Sequence, residues 1–292
     1  LKKISHRPIK AAYKDYFTGK VLSEVLINNP EDYSFGSRAK KSIEGTLQVH
    51  RADLHSLLVN TIVKNDSDCI NLGFEAETIL SSAGRTTIKF SNDCHIVSEA
   101  LIACDGNNSA IRKCLYGGDT INYLGYVAWR GLVSASKLPK SLIEPDTASY
   151  FGKEKIFARY KVRGGSLINY VAFSKKSDWH GEDWTIRSSL DEVMKEFRDA
   201  SQEIQTIIEK TPSDQCYKWA LAGRKPLNKW THENITLLGM LHIRCFLFLG
   251  RVPQWLLRME LFLQDVLKVV LVLMKFFHVM RKLDYTEHLW LR

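Results

Sequence analysis

The sequence predicts a mixed α/β fold, with α+β character, built as two interleaved domains. Three observations carry this. A helical period over residues 51–63 is followed by short β-like stretches, the last of which runs into Asp105-Gly106. From Tyr123 to Phe173 the segments lengthen and become rich in aromatics, as suits a mostly antiparallel sheet. After a further helical stretch the strand-like "NITLLG" returns the chain to its first domain near Trp230. The expected boundaries are residues 1–118 for the first domain, 119–225 for the sheet domain, 226–239 for the return, and 240–292 for a hydrophobic basic tail.

Composition sets the class. With 292 residues, 45% hydrophobic and 25% charged, the chain has enough apolar material for a full core and no bias toward disorder. The net charge is +9, but residues 240–292 hold eight Lys or Arg against four Asp or Glu and so supply +4 of it. No basic run is interleaved with aromatics, so no nucleic-acid partner is expected. The six cysteines show neither a C-x-x-C pair nor zinc-ligand spacing, which points to reduced thiols in a cytoplasmic protein and to no metal site. The chain starts at Leu1 with no signal-peptide pattern, and such a start is also what a cut chain would show.

Taken in order, residues 1–50 are mixed and weakly periodic. "RADLHSLLVNTIV" places Leu54, Leu57, Leu58 and Ile62 on one face, which predicts a helix with that face buried. "CINLGFEAETIL", "RTTIKF" and "HIVSEALIACDG" read as strands broken by "SSAGR" and "SND" turns. "YLGYVAWRGLV", "KIFARYKV" and "SLINYVAF" form the sheet domain. Leu190, Val193, Met194, Phe197, Ile204, Ile207 and Ile208 then repeat at helical spacing.

"LIACDGNNSAIRK" is the most informative segment. A strand ending in Asp-Gly puts a carboxylate where open α/β sheets bind ligands, the Gly permits close backbone approach, and the next residues can open a helix. An ordinary Asp-Gly turn is the alternative. The segment resembles the second motif of the FAD-dependent aromatic hydroxylases, the flavoprotein monooxygenases of the salicylate hydroxylase and para-hydroxybenzoate hydroxylase type. Asp105, Gly106, Ser109 and Arg112 match that motif, while Ala103 stands where Gly is usual.

Other segments resemble the same family in the same order. "VHRADLH" is similar to its H-R-x-x-L element, with Arg51 as the cofactor-reaching Arg; a surface ion pair is the alternative for that residue. "YLGYVAWRGLV" and "YKVRGGSLINYVAF" resemble its substrate-domain strands, and "WALAGRKPLNKW" its approach to a third motif, with Gly223 where Asp is usual. The resemblance covers about residues 45–239. It implies a partial Rossmann-like FAD-binding domain interleaved with a substrate-binding sheet, with Arg51, Asp105, Gly106, Ser109 and Arg112 on the cofactor side. It further implies FAD as cofactor, NAD(P)H as co-substrate, and dioxygen with a small aromatic ring as reactants. No catalytic base is assigned. Trp129 and Arg130 face either ligand or core, with core favoured for an aromatic in a sheet. His50, His55 and His180 lack partners at metal or triad spacing.

The family's opening G-x-G-x-x-G unit is not found before Arg51, and after Gly239 the expected G-D-A-A-H-P is replaced by "MLHIRCFLFLGRVPQW". On this basis FAD binding is expected to be weak or absent, without turnover. Read one base earlier, synonymous codons for Met240 to Glu260 can spell D-A-A-H-P-M-L-P-F-L-G-Q-G-A-A-M-A-I-E-D-G, and those for His278 to Leu289 can spell R-Y-E-E-A-R-L-H-R-T-S. Loss of one base at the Gly239 codon accounts for the change of character. The competing reading takes the tail as a hydrophobic helix lying on a membrane or partner; Lys268 and Lys275 interrupt it, so a spanning helix is not expected. Nucleotide sequencing across the Gly239 codon discriminates the two: the shifted frame is expected to spell G-D-A-A-H-P, and a frame without it establishes the tail as genuine.

Overall fold

A computed structural model of the chain describes residues 1–27, 47–106, 108–118, 122–177, 179, 186–223, 227, 229 and 231–237. The tail reading, the Gly239 junction and His180 lie outside the described residues. In chain order, β1 (Ser5–His6), β2 (Lys10–Asp15), β3 (Val21–Leu26) and β4 (Gln48–Val49) precede α1 (Arg51–Asn65). Next come β5 (Ala76–Ser82), β6 (Arg85–Phe90), β7 (His95–Ser98), β8 (Leu101–Ala103) and α2 (Ala110–Tyr116). The long β9 (Asn122–Ser134) leads through α3 (Lys140–Ile143) to β10 (Thr147–Phe151), β11 (Lys155–Val162) and β12 (Leu167–Lys175). The short β13 (Ile186–Arg187), α4 (Leu190–Glu196), α5 (Gln202–Glu209) and β14 (Tyr217–Gly223) follow, and β15 (Thr231–His232) and β16 (Ile235–Leu237) complete the described elements.

The chain divides into two compact units, Leu1–Ile70 with Ile121–Ala222, and Asn71–Thr120 with the return from Gly223. In this division residues 1–70 fall with the large sheet. The reason is strand pairing: β2 joins the large sheet parallel to β10, and β3 adds antiparallel to β2. Those strands escape a periodicity reading because every residue of β3 is exposed and β2 buries Ala11, Ala12 and Lys14 without regular alternation.

The larger unit is an eight-stranded sheet in the order β13-β14-β9-β12-β11-β10-β2-β3. Strands β9, β12, β11 and β10 pair antiparallel. One face of this sheet carries the core. Val127, Trp129 and Val133 of β9, with Ile168 and Tyr170 of β12, pack in one cluster with Val193, Phe197, Ile204, Ile207 and Ile208. The helical stretch anticipated over 188–210 is broken into α4 and α5, and the backbone N–H of Ser201 donates to the Tyr16 carbonyl at the break. Trp129 is core, as favoured from sequence, meeting Phe197 edge to face at 5.5 Å. Gly131 has the Tyr170 ring over it where a Cβ would stand, so a side chain there would displace a buried aromatic.

Buried charges on the sheet are paired. Lys14 Nζ and the Tyr150 hydroxyl both donate to Glu203 at 2.7 Å. Arg159, fully buried, donates to the carbonyls of Pro145 at 2.6 Å and Glu144 at 2.9 Å. Helix α1 forms where the period places it, yet none of its residues is buried: Leu58 and Ile62 are 54% and 46% exposed. The expected burial of that face is therefore corrected. The helix is instead held at its first turn, as described below.

The smaller unit has an antiparallel β5-β6-β7 meander and a sheet in the order β15-β16-β8, with β16 parallel to β8. "HIVSEALIACDG", one strand by pattern, is two, because the chain changes sheets between Ser98 and Leu101. Ala103, Ile111, Ile235 and Leu237 form this unit's core.

The Asp146 carboxylate ties the start of the chain to β10. It accepts from the Ile9 N–H at 2.7 Å and Lys161 Nζ at 3.0 Å and contacts the His6 ring at 2.9 Å. Burial works to raise its pKa, but these donors outweigh it and hold the carboxyl at about 2. A depressed carboxyl contributes stability that is fully present above its ordinary value of 3.8 and is lost as pH falls toward about 2. Acid denaturation is expected to show this limb, and Asp146→Asn to flatten it; an unchanged profile in the variant would refute the assignment.

Candidate cofactor turn and substrate-facing sheet

Strand β8 ends at Ala103, and the chain turns at Asp105-Gly106 on the carboxyl side of the parallel β8–β16 pair. Asp105 Oδ1 accepts from the Ser109 hydroxyl at 2.6 Å and Oδ2 from the Ile111 N–H at 3.2 Å. Ser109 Oγ in turn accepts from the Arg112 N–H at 2.8 Å, so it is the N-cap of α2. Gly106 sits at φ +78°, a conformation that favours glycine, and no atom lies within 4 Å of where its Cβ would be.

Four of the five residues matched from sequence are thereby brought together. Their exposures separate their parts. Asp105 is exposed at the turn, whereas Ser109 and Arg112 are 6% and 2% exposed and support it from within. Arg51 belongs to the other unit, exposed at the first position of α1. The start of that helix is pinned by its neighbour Asp53, which accepts from Arg163 Nε at 2.8 Å and from its NH2 nitrogen at 2.6 Å. Arg163 holds the Asp53 carboxyl below the usual range, and His50 Nδ1 lies 3.7 Å away. His55 is exposed on the same helix.

The large sheet has a second face, turned away from α4 and α5. Alternation along β9 sends Trp129 into the core and Arg130 to this face. Arg130 pairs across with Val171, which pairs with Ala158; Leu132, Asn169 and Tyr160 form the next row. On β14, Tyr217 and Trp219 each place a ring 5.7 Å from the Arg130 guanidinium carbon. Burial pushes the Tyr160 phenol up, and the positive charge of Arg130 opposes that. Sequence reading singled out Arg130 but missed Tyr160, Asn169, Tyr217 and Trp219. The period-2 parity relative to Trp129 is the signal that reaches the β12 and β11 residues once register is known; β14 carries no such mark.

No family model matches the chain. It is 26% identical over 193 residues to a 3-hydroxybenzoate 6-hydroxylase of Klebsiella oxytoca, covering 65% of this chain and 47% of that protein. It is 25% identical over 225 residues to a 6-hydroxynicotinate 3-monooxygenase of Pseudomonas fluorescens, covering 76% and 55%. The chain thus spans about half the length of these relatives. Among solved structures, Klebsiella pneumoniae HpxO complexed with FAD and uric acid superposes with a TM-score of 0.70 at 19% identity, over 82% of this chain and 58% of that one. A salicylate hydroxylase substrate complex gives 0.62 at 20% identity, over 82% and 60%.

The cap makes a measurable claim. Ser109→Ala removes both the acceptor for the Arg112 N–H and a donor to Asp105, and is expected to destabilise α2 by about 1 kcal/mol. Amide hydrogen exchange over Ile111–Tyr116 should rise about fivefold. Unchanged protection in the variant would show that the turn holds without the hydroxyl.

Proposed function

We propose that the chain belongs to the FAD-dependent aromatic hydroxylases and serves a monooxygenase that hydroxylates a small aromatic ring with NAD(P)H and dioxygen. One observation carries the reading: the matched residues Asp105, Gly106, Ser109 and Arg112 converge on a single turn at the carboxyl edge of a parallel strand pair. The open space over Gly106 fits a cofactor there, since a side chain would project into the region a ligand backbone needs.

In this reading Asp105 and Gly106 meet the flavin, and Ser109 and Arg112 keep the turn in shape; Arg51, on the other unit, is assigned to the cofactor only by the motif it matches. When bound, the flavin supplies activation of dioxygen at the expense of NAD(P)H. The protein's own contribution is positional. The second face of the sheet, with Ala158, Val171 and Phe173 beside Arg130, receives the ring and excludes water. No described side chain is assigned as a catalytic base. Among the described residues no helix is long and apolar enough to cross a membrane.

FAD titration, followed by quenching of flavin fluorescence, tests the turn. Weak but saturable quenching is expected, and Asp105→Ala should loosen it about tenfold, equivalent to about 1.4 kcal/mol. An Asp105→Ala variant as tight as the parent, or a parent that never quenches, would remove the flavin from this turn.

A further inference from the structure

We infer that His232 is a positioning residue for the Asp105 turn, acting through the Tyr116 hydroxyl, an inference that rests on the proposed flavin reading of that turn and adds its control by the return segment. The turn has two arms, β8 entering and α2 leaving, and the return holds both. Strand β16 pairs parallel with β8, Ile235 opposite Leu101 and Leu237 opposite Ala103, and the Leu101 N–H donates to the Asn234 carbonyl at 2.9 Å. On the other arm, His232 Nε2 lies 2.6 Å from the hydroxyl of Tyr116, the last residue of α2, and the two rings meet edge to face at 4.8 Å. Ile235 and Leu237 also share one core with Ala103 and Ile111, and the Ile111 N–H in turn donates to Asp105.

The hydrogen bond between His232 and Tyr116 has one direction. Tyr116 has a single hydroxyl proton and donates it to the Lys229 carbonyl, which can only accept. Burial pushes the phenol up, with the Arg112 charge opposing, so the hydroxyl keeps that proton. Toward His232 the oxygen is therefore an acceptor, and Nε2 carries the hydrogen. The length of α2 makes this tie matter. Seven residues are too few for a helix to persist alone, since even good helix formers need about 12 to 15. Ser109, shared with Asp105, caps the first turn, while the far end is held from Lys229 and His232. In so short a helix, loss of the far end reaches the Ile111 and Arg112 amides that hold Asp105 and Ser109.

Amide hydrogen exchange on the full 292-residue chain is the first readout. His232→Phe keeps the ring contact without the donor, and His232→Gln restores an N–H near the Nε2 position. His232→Phe is expected to raise exchange at Ser109, Ile111 and Arg112 about fivefold with the β5–β7 meander unchanged, and His232→Gln to stay within about twofold of the parent. Tyr116→Phe should match His232→Phe, and the double variant should exchange no faster than either. Parental protection in His232→Phe, faster exchange confined to residues 113–116, a His232→Gln no better than His232→Phe, or additive effects in the double variant overturns the inference. If His232→Phe unfolds, Tyr116→Phe against the parent at the same amides decides it. FAD quenching is the second readout: His232→Phe should loosen affinity about fivefold and His232→Gln restore it. Faster exchange at the turn with parental FAD affinity overturns the positioning role and leaves the flavin reading intact. A parent that never quenches removes the flavin reading, and the exchange results then decide the coupling by themselves.

Discussion

The register of β9 against β12 is the constraint on which the larger unit depends. Pairing Trp129 with Ala172 and Arg130 with Val171 settles, for residues 126–134 of β9, which side chains enter the core. A slip of one residue would exchange every one of them. It would drive Arg130 under Phe197 with no anion to meet it and lift Trp129 out of the cluster. Gly131 reinforces the choice, because Tyr170 can lie flat across β9 only where no Cβ intervenes. The stacked Tyr170–Phe157 pair, 5.0 Å apart, extends the same constraint to β11. Packing on one face thereby determines what the opposite face presents.

In the smaller unit a single carboxylate sets the shape of its turn and, in the proposed reading, also meets the flavin. Asp105 orders its own turn through Ser109 and the Ile111 amide, yet stays exposed at the strand edge. The ordinary turn and the cofactor turn, set against each other in the sequence, are compatible in this geometry. A carboxylate whose position is set by local hydrogen bonds needs no rearrangement to meet a ligand, which lowers the entropy lost on binding. Buried Arg112 and Ser109 belong to the support of that turn rather than to its surface.

What was legible in the sequence follows from how local its causes are. The Asp105–Arg112 network closes within eight residues, and the alternation of β11 and β12 is plain in "KIFARYKV" and "SLINYVAF", so turn and sheet were both readable. Helix α1 was readable as a helix, but its Leu58 and Ile62 face was taken as buried, because period reports an apolar stripe and not whether anything covers it. Strands β2 and β3 were missed because their pairing depends on β10, far along the chain. Tyr217 and Trp219 acquire meaning only when β14 lies beside β9, which no motif announces.

The parallel pairing of β2 with β10 also has a consequence for how the chain is made. Lys10 reaches Asp146 across 136 residues, with the first segment of the smaller unit inserted between them. A chain emerging from its N-terminus must hold β2 and the apolar, fully exposed β3 without their sheet until β10 is synthesised. Contacts so far apart in sequence make for slow folding, and unpaired strands left waiting are templates for association. The fold is therefore one in which the smaller unit's β5–β7 meander can assemble early, while the larger sheet closes late around strands made well before β10.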